Sequence, residues 1–109
     1  MKPRMYAFLF FGFLALPCGA NDPAPRLTGE RLLQYFSSEE ALERAFADGY
    51  LAGIADATQG KSWCIAWEQK PHEIDADVFH ALRKLPRERL REKASLLVIE
   101  ALKGRFPCE

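Results

Sequence analysis

The stretch Ala41 to Gly60, ALERAFADGYLAGIADATQG, constrains this chain most. It has the spacing of one long helix. Leu42, Phe46, Tyr50, Gly53 and Ala57 recur on one face, and Ala47, Leu51, Ile54 and Thr58 on a second. A helix apolar on nearly every side is expected to be buried by its neighbours. Ala45, Gly49, Ala52 and Gly53 would let those neighbours come close, and Gly49 and Gly53 share a side because they are four apart. Each glycine costs a helix about 1 kcal/mol relative to alanine, so close packing is the expected compensation. Asp48 and Asp56 interrupt the run and argue against a membrane-spanning dimer helix.

Residues 1–20 read as a secretory signal peptide. Lys2 and Arg4 form a basic start, Tyr6 to Leu16 an apolar run, and Pro17, Cys18, Gly19 and Ala20 a small-residue cleavage region. The run is too short for a transmembrane helix, which needs about 20 apolar residues. Cleavage is expected between Ala20 and Asn21. A lipoprotein reading with Cys18 modified is disfavoured by Pro17, which stands where such signals want a small residue. Without Lys2 and Arg4 the remaining chain has a small excess of acidic residues. It carries no basic stripe for nucleic acid, and no stable membrane association is expected once the leader is gone.

Of the three cysteines, Cys64 and Cys108 remain after cleavage. An exported compartment permits disulfides, and one pair allows one connectivity. A Cys64–Cys108 bond is therefore expected, worth about 4 kcal/mol by the loop-entropy estimate. A domain this small gains from such a staple.

The remaining chain divides into an extended segment over 21–27 and a helical domain over 28–109. Thr28 is a suitable N-cap for a helix from Gly29 to Phe36 with Leu32, Leu33 and Phe36 inward. Ser37 and Glu40 have capping-box spacing before the long helix, Glu40 and Arg44 the spacing of an ion pair, and Gly60 suits the C′ position. Asp75 reads as the N-cap of a third helix, with Ile74 and Phe79 as its hydrophobic staple. Pro86 ends that helix and opens a fourth, in which Leu90, Ala94, Leu97, Val98, Ala101 and Leu102 form one apolar row. The expected fold is all-α: a compact bundle of about four helices around a buried central one.

Candidate chemistry is sparse. His72 and His80 lack the spacing of metal ligands and read as surface residues of a loop and a helix. Asp48 and Asp56 could pair as acid and base, but fit polar contacts at the core edge better. Asp75 and Asp77 read as helix-start acids. No nucleophile–base arrangement and no phosphate loop is visible, so no enzyme activity, metal or cofactor is expected. Trp63 and Trp67 are either lids on the core or anchors for a partner, and they mark the first candidate for a recognition surface.

GYLAGIADA (Gly49 to Ala57), WCI (Trp63 to Ile65), P-x-x-I (Pro71 to Ile74) and ASLLVIEALKGRFPC (Ala94 to Cys108) occur in this order behind a leader. Together they resemble the type VI amidase immunity (Rap/Tai) family. The resemblance spans residues 29–108 and implies a periplasmic helical immunity protein, often a homodimer. Such a protein binds a secreted peptidoglycan amidase and blocks its active-site cleft. Family members often carry a further cysteine pair where this chain has residues such as Phe36 and Asp48. Two rivals are a periplasmic stress or chaperone-like module and a family domain reused without a toxin partner. Intact-mass analysis without reductant is expected to give a chain that starts at Asn21 with no alkylatable thiol; two free thiols would defeat the disulfide.

Overall fold

The computed structural model of the chain describes residues 24–65 and 69–109, with Pro3 and Gly12 besides. The leader, its junction at Ala20 and Asn21, and Trp67 lie outside the described residues. Four α-helices follow in order: α1 (Gly29–Phe36), α2 (Ala41–Thr58), α3 (Pro71–Arg83) and α4 (Ala94–Arg105), with a 3₁₀ turn at Arg89–Arg91 before α4. The described residues contain two isolated bridges and no sheet. None of the helices among them is long and apolar enough to cross a membrane. α1 packs on α2, α3 on α4, and α4 also on α2 and α1.

Helix α1 forms as its sequence dictates. Thr28 is the N-cap, and its Oγ1 accepts from the Arg31 amide at 3.2 Å. Leu32 is fully buried, with Leu33 and Phe36 packed beside it.

Helix α2 departs from expectation. It is not the buried centre of the bundle. Only Ala47 and Leu51 are fully buried, with Tyr50, Ile54 and Ala55 partly covered. Leu42 is 85% exposed and Phe46 50% exposed. The physical reason lies in the composition. Much of its apolar content is alanine and glycine, which have little surface to withdraw from water, so one narrow stripe satisfies the hydrophobic demand. Its start also differs. Ser37 caps the end of α1, Glu40 is the N-cap of α2 without a side-chain bond, and Ser38 Oγ accepts from the Glu40 amide. Arg44 donates to the Ser38 carbonyl at 2.7 Å and makes no ion pair with Glu40. The end agrees: Gly60 follows the C-cap with φ of 78°, the left-handed conformation that glycine adopts freely.

Helix α3 begins at Pro71, four residues before the expected cap at Asp75. Proline is favoured at the first helical position because its missing N–H needs no partner there. The Glu73 carboxylate accepts from the Lys70 amide at 3.1 Å. His72 thus lies in the first helical turn, not in a loop. Ile74, Val78 and Leu82 face the core.

The fourth helix does not start at Pro86. The chain around Glu92 and Lys93 is extended because it pairs with the segment before α1. The Gly29 amide donates to the Glu92 carbonyl at 3.1 Å and the Ala94 amide to the Leu27 carbonyl at 2.9 Å. The same bonds tie down the end of the 21–27 segment. Leu90 still packs on the core, but from the 3₁₀ turn, and Ala94, Leu97, Val98 and Leu102 continue the buried row. Arg89 pairs with Glu92 and Glu100 and so braces the turn against α4.

Cys64 and Cys108 are joined, with Cα atoms 4.9 Å apart. The bond binds the connection after α2 to the chain end after α4.

The glycines sort by environment. A Cβ on Gly29 would meet Leu97 Cδ1 at 2.5 Å, whereas one on Gly49 or Gly53 would meet nothing within 4 Å. The close packing expected at Gly49 and Gly53 is thus absent within the chain. Gly29→Ala is expected to destabilise the domain by about 1–3 kcal/mol through overpacking. Gly49→Ala and Gly53→Ala are each expected to stabilise it by about 0.5–1 kcal/mol. Urea melts of the three variants check both signs.

Candidate functional site

Trp63 is not a surface anchor. It is 2% exposed and is the largest fully buried side chain of the fold. Its indole N–H donates to the Ala55 carbonyl and to Thr58 Oγ1, both at 3.1 Å. Its ring packs at 6.0 Å from that of Phe106. The Cys64 amide donates to the Phe106 carbonyl at 2.9 Å. Trp63 and the disulfide therefore form one structural corner. Beside it Ile65 is exposed, and the chain then passes to Trp67, outside the described residues.

His72 and His80 are both exposed on α3. Among the described residues no group of three or more His, Cys, Asp or Glu side chains could hold a metal ion. Asp48 and Asp56 are exposed on α2, and eight residues of helix separate them by about 12 Å along the axis. That distance prevents them from sharing a proton. Asp77 pairs with Arg105 at 3.3 Å, linking α3 to α4.

The Asp75 carboxyl on α3 lies above the usual range because partial burial disfavours its charge; the negative field of Asp48 raises it further, and His72 acts the other way. Nothing in the sequence announced this influence, because it depends on how α2 and α3 are placed.

Among the described residues two surfaces are candidates to receive a partner. One is a cleft of about 620 Å³ between α3 and α4, with Leu85, Leu97 and Ala101 in its lining and Asp77, Glu100 and Arg105 among its charged groups. Those three charges are matched within the chain, Asp77 to Arg105 and Glu100 to Arg89. The hydrogen bonds that the Arg89 guanidinium donates to Glu100 and then to Glu92 hold it above its ordinary pKa. The other surface is the outward side of α2, where Leu42, Phe46, Gly49 and Gly53 lie open.

Fold and surfaces together define a disulfide-tied helical domain that offers faces for contact. The family of Rap1a immunity proteins matches residues 28–108, and the chain belongs to that family. No curated protein matches the chain. The match covers the whole helical domain, so the expected resemblance to immunity proteins holds.

The partly buried Asp75 has a pH signature. Because the folded pKa of Asp75 lies above its unfolded value, folding disfavours the ionised form. The cost is present at neutral pH and fades as pH falls below the unfolded carboxylate value. Asp75→Asn is expected to raise Tm at pH 7, with the gain vanishing near pH 3. Thermal melts across that range test it, and a gain that grows in acid would reverse the sign.

Proposed function

We propose that this chain is a periplasmic immunity protein that binds a peptidoglycan amidase delivered by type VI secretion and occludes its active site. The observation that carries the reading is the match of residues 28–108 to an immunity family. Three further features support it. Residues 1–20 have the order of an exported leader cut between Ala20 and Asn21. The Cys64–Cys108 bond suits an oxidising compartment. A stapled bundle pre-organises its surface, which lowers the ordering cost of association. On this reading the domain is residues 28–109, the protein acts without catalysis or cofactor, and two copies form a homodimer.

A chaperone-like stress module gains no comparable support. Re-use of the domain without a toxin partner is an outcome of the test.

The test is co-expression of the full chain with a type VI peptidoglycan amidase toxin directed to the periplasm. Protection from lysis and co-elution of the two proteins on gel filtration are expected. The chain without residues 1–20 is expected to lose protection in cells. Unrelieved lysis, with no complex formed by the processed protein, would overturn the proposal.

A further inference from the structure

The outward side of α2 is a face that the described fold leaves unused. Leu42, Ala45, Gly49, Ala52 and Asp56 follow one another at alternating spacings of three and four, so they form one straight seam. All five are exposed. Phe46 stands beside the seam, with its ring held edge-on to Tyr35 at 5.3 Å and stacked on Tyr50 at 6.1 Å. Half of its surface is still open. Leu42 and Phe46 therefore form a fixed apolar ridge at one end. Gly49 and Gly53 leave a bare strip of backbone beyond it, since no atom lies within 4 Å of where a Cβ would be.

The glycines weaken the helix and serve no contact within the chain. The same side carries two solvent-facing hydrophobic groups, which a monomer has no reason to retain together. The surrounding charge is predominantly acidic, with Arg31 over the Tyr35 ring as a cation at the Phe46 end. Glu39 and Glu40 precede the helix, Asp56 closes the seam, and Asp48 lies to one side with Asp75 behind it. Arg44, the basic residue within α2, is directed back to the Ser38 carbonyl. The α3–α4 cleft differs, because its acids already have cations from the chain itself.

We propose that the outward side of α2 is the docking surface for a protein partner with a cationic, apolar contact patch. A large apolar side chain of that partner lies over Gly49 and Gly53, and its lysine or arginine groups meet Asp48 and Asp56. The inference rests on the immunity reading, which makes the amidase that partner. Charge complementarity selects this occupant. A second copy of the chain would bring the same acidic rim to the seam, and like charges in contact oppose pairing.

The experiment measures binding of the processed, oxidised protein to the amidase used in the protection assay. Gly49→Arg places a long cation on the bare strip where nothing within the chain is disturbed, so its Tm is expected to equal or exceed that of the parent. Its affinity is expected to fall about 100-fold, as for a central interface position. Asp56→Lys is expected to weaken binding about tenfold and to flatten its dependence on salt. Lys84→Glu, in the α3–α4 cleft, is expected to change affinity less than twofold.

Parent-like binding by both α2 variants would overturn the proposal while leaving the immunity reading intact. So would loss of binding through Lys84→Glu alone. A dimer of the parent that Gly49→Arg dissociates would assign the seam to a second copy and overturn the proposal in favour of that occupant. Failure of the parent itself to bind or protect would remove the immunity reading and this inference with it.

Discussion

The corner made by Trp63 and Cys64 holds the fold together, and three different kinds of bond meet there. The indole N–H of Trp63 adds a second bond to the Ala55 carbonyl, which already accepts from the Gln59 amide at the end of α2. The indole ring fills the space against Phe106. Cys64 then bonds to Phe106 through its amide and to Cys108 through sulphur. The left-handed turn at Gly60 brings the chain back so that all of this can occur, and the Gly60 amide donates to the Trp63 carbonyl at 2.7 Å. In a domain this small the core alone is a modest source of stability. The corner concentrates packing, hydrogen bonding and a covalent tie where the C-terminal ends of α2 and α4 meet.

Features that depend on near neighbours in the chain were legible in the sequence. The Thr28 cap, the Gly60 turn and the buried row of α4 belong to this group; the cysteine pairing, across 44 residues, was legible only because two cysteines remain after the leader. Features that depend on distant segments were not. The start of α4 is delayed to Ala94 because Leu27 and Gly29 take the backbone bonds that would otherwise begin a helix near Pro86. The start of α3 offered two local signals, Pro71 and Asp75. Proline prevailed because Glu73 could also reach the free Lys70 amide. Trp63 was undecidable from sequence, since a lid and an anchor have the same composition and only the turn at Gly60 separates them. The misjudged burial of α2 came from counting alanine and glycine as equal to leucine. The partial burial of Asp75 and its exposure to the charge of Asp48 depend on the placement of two helices, which no spacing within either one encodes.

Away from the corner, Phe36 meets Phe79 edge-on at 5.5 Å, joining α1 to α3. An aromatic pair contributes about 0.5–1.5 kcal/mol beyond its burial, less than the typical 2–4 kcal/mol of a disulfide. The staple at Cys64 and Cys108 therefore carries a larger share of the constraint on the unfolded chain. Asp48 stands exposed on the surface of α2, and its charge reaches Asp75.

The uneven burial of α2 separates the part of the molecule that keeps it folded from the part that is free to vary. Ala47 and Leu51 face inward and join the core that Trp63 closes. Leu42, Gly49 and Gly53 face outward and touch little or nothing of their own chain. A change on the outer side alters what the helix presents without opening a cavity, because cavity costs arise only where side chains are enclosed. Immunity to a toxin demands such a separation. The binding surface has to follow the sequence of one partner, while the scaffold beneath it has to stay rigid enough for association to cost little ordering. A helix buried on every side could not meet both demands, because each change in its contact surface would also disturb the core. With one narrow stripe inward and the remainder in water, α2 can do so.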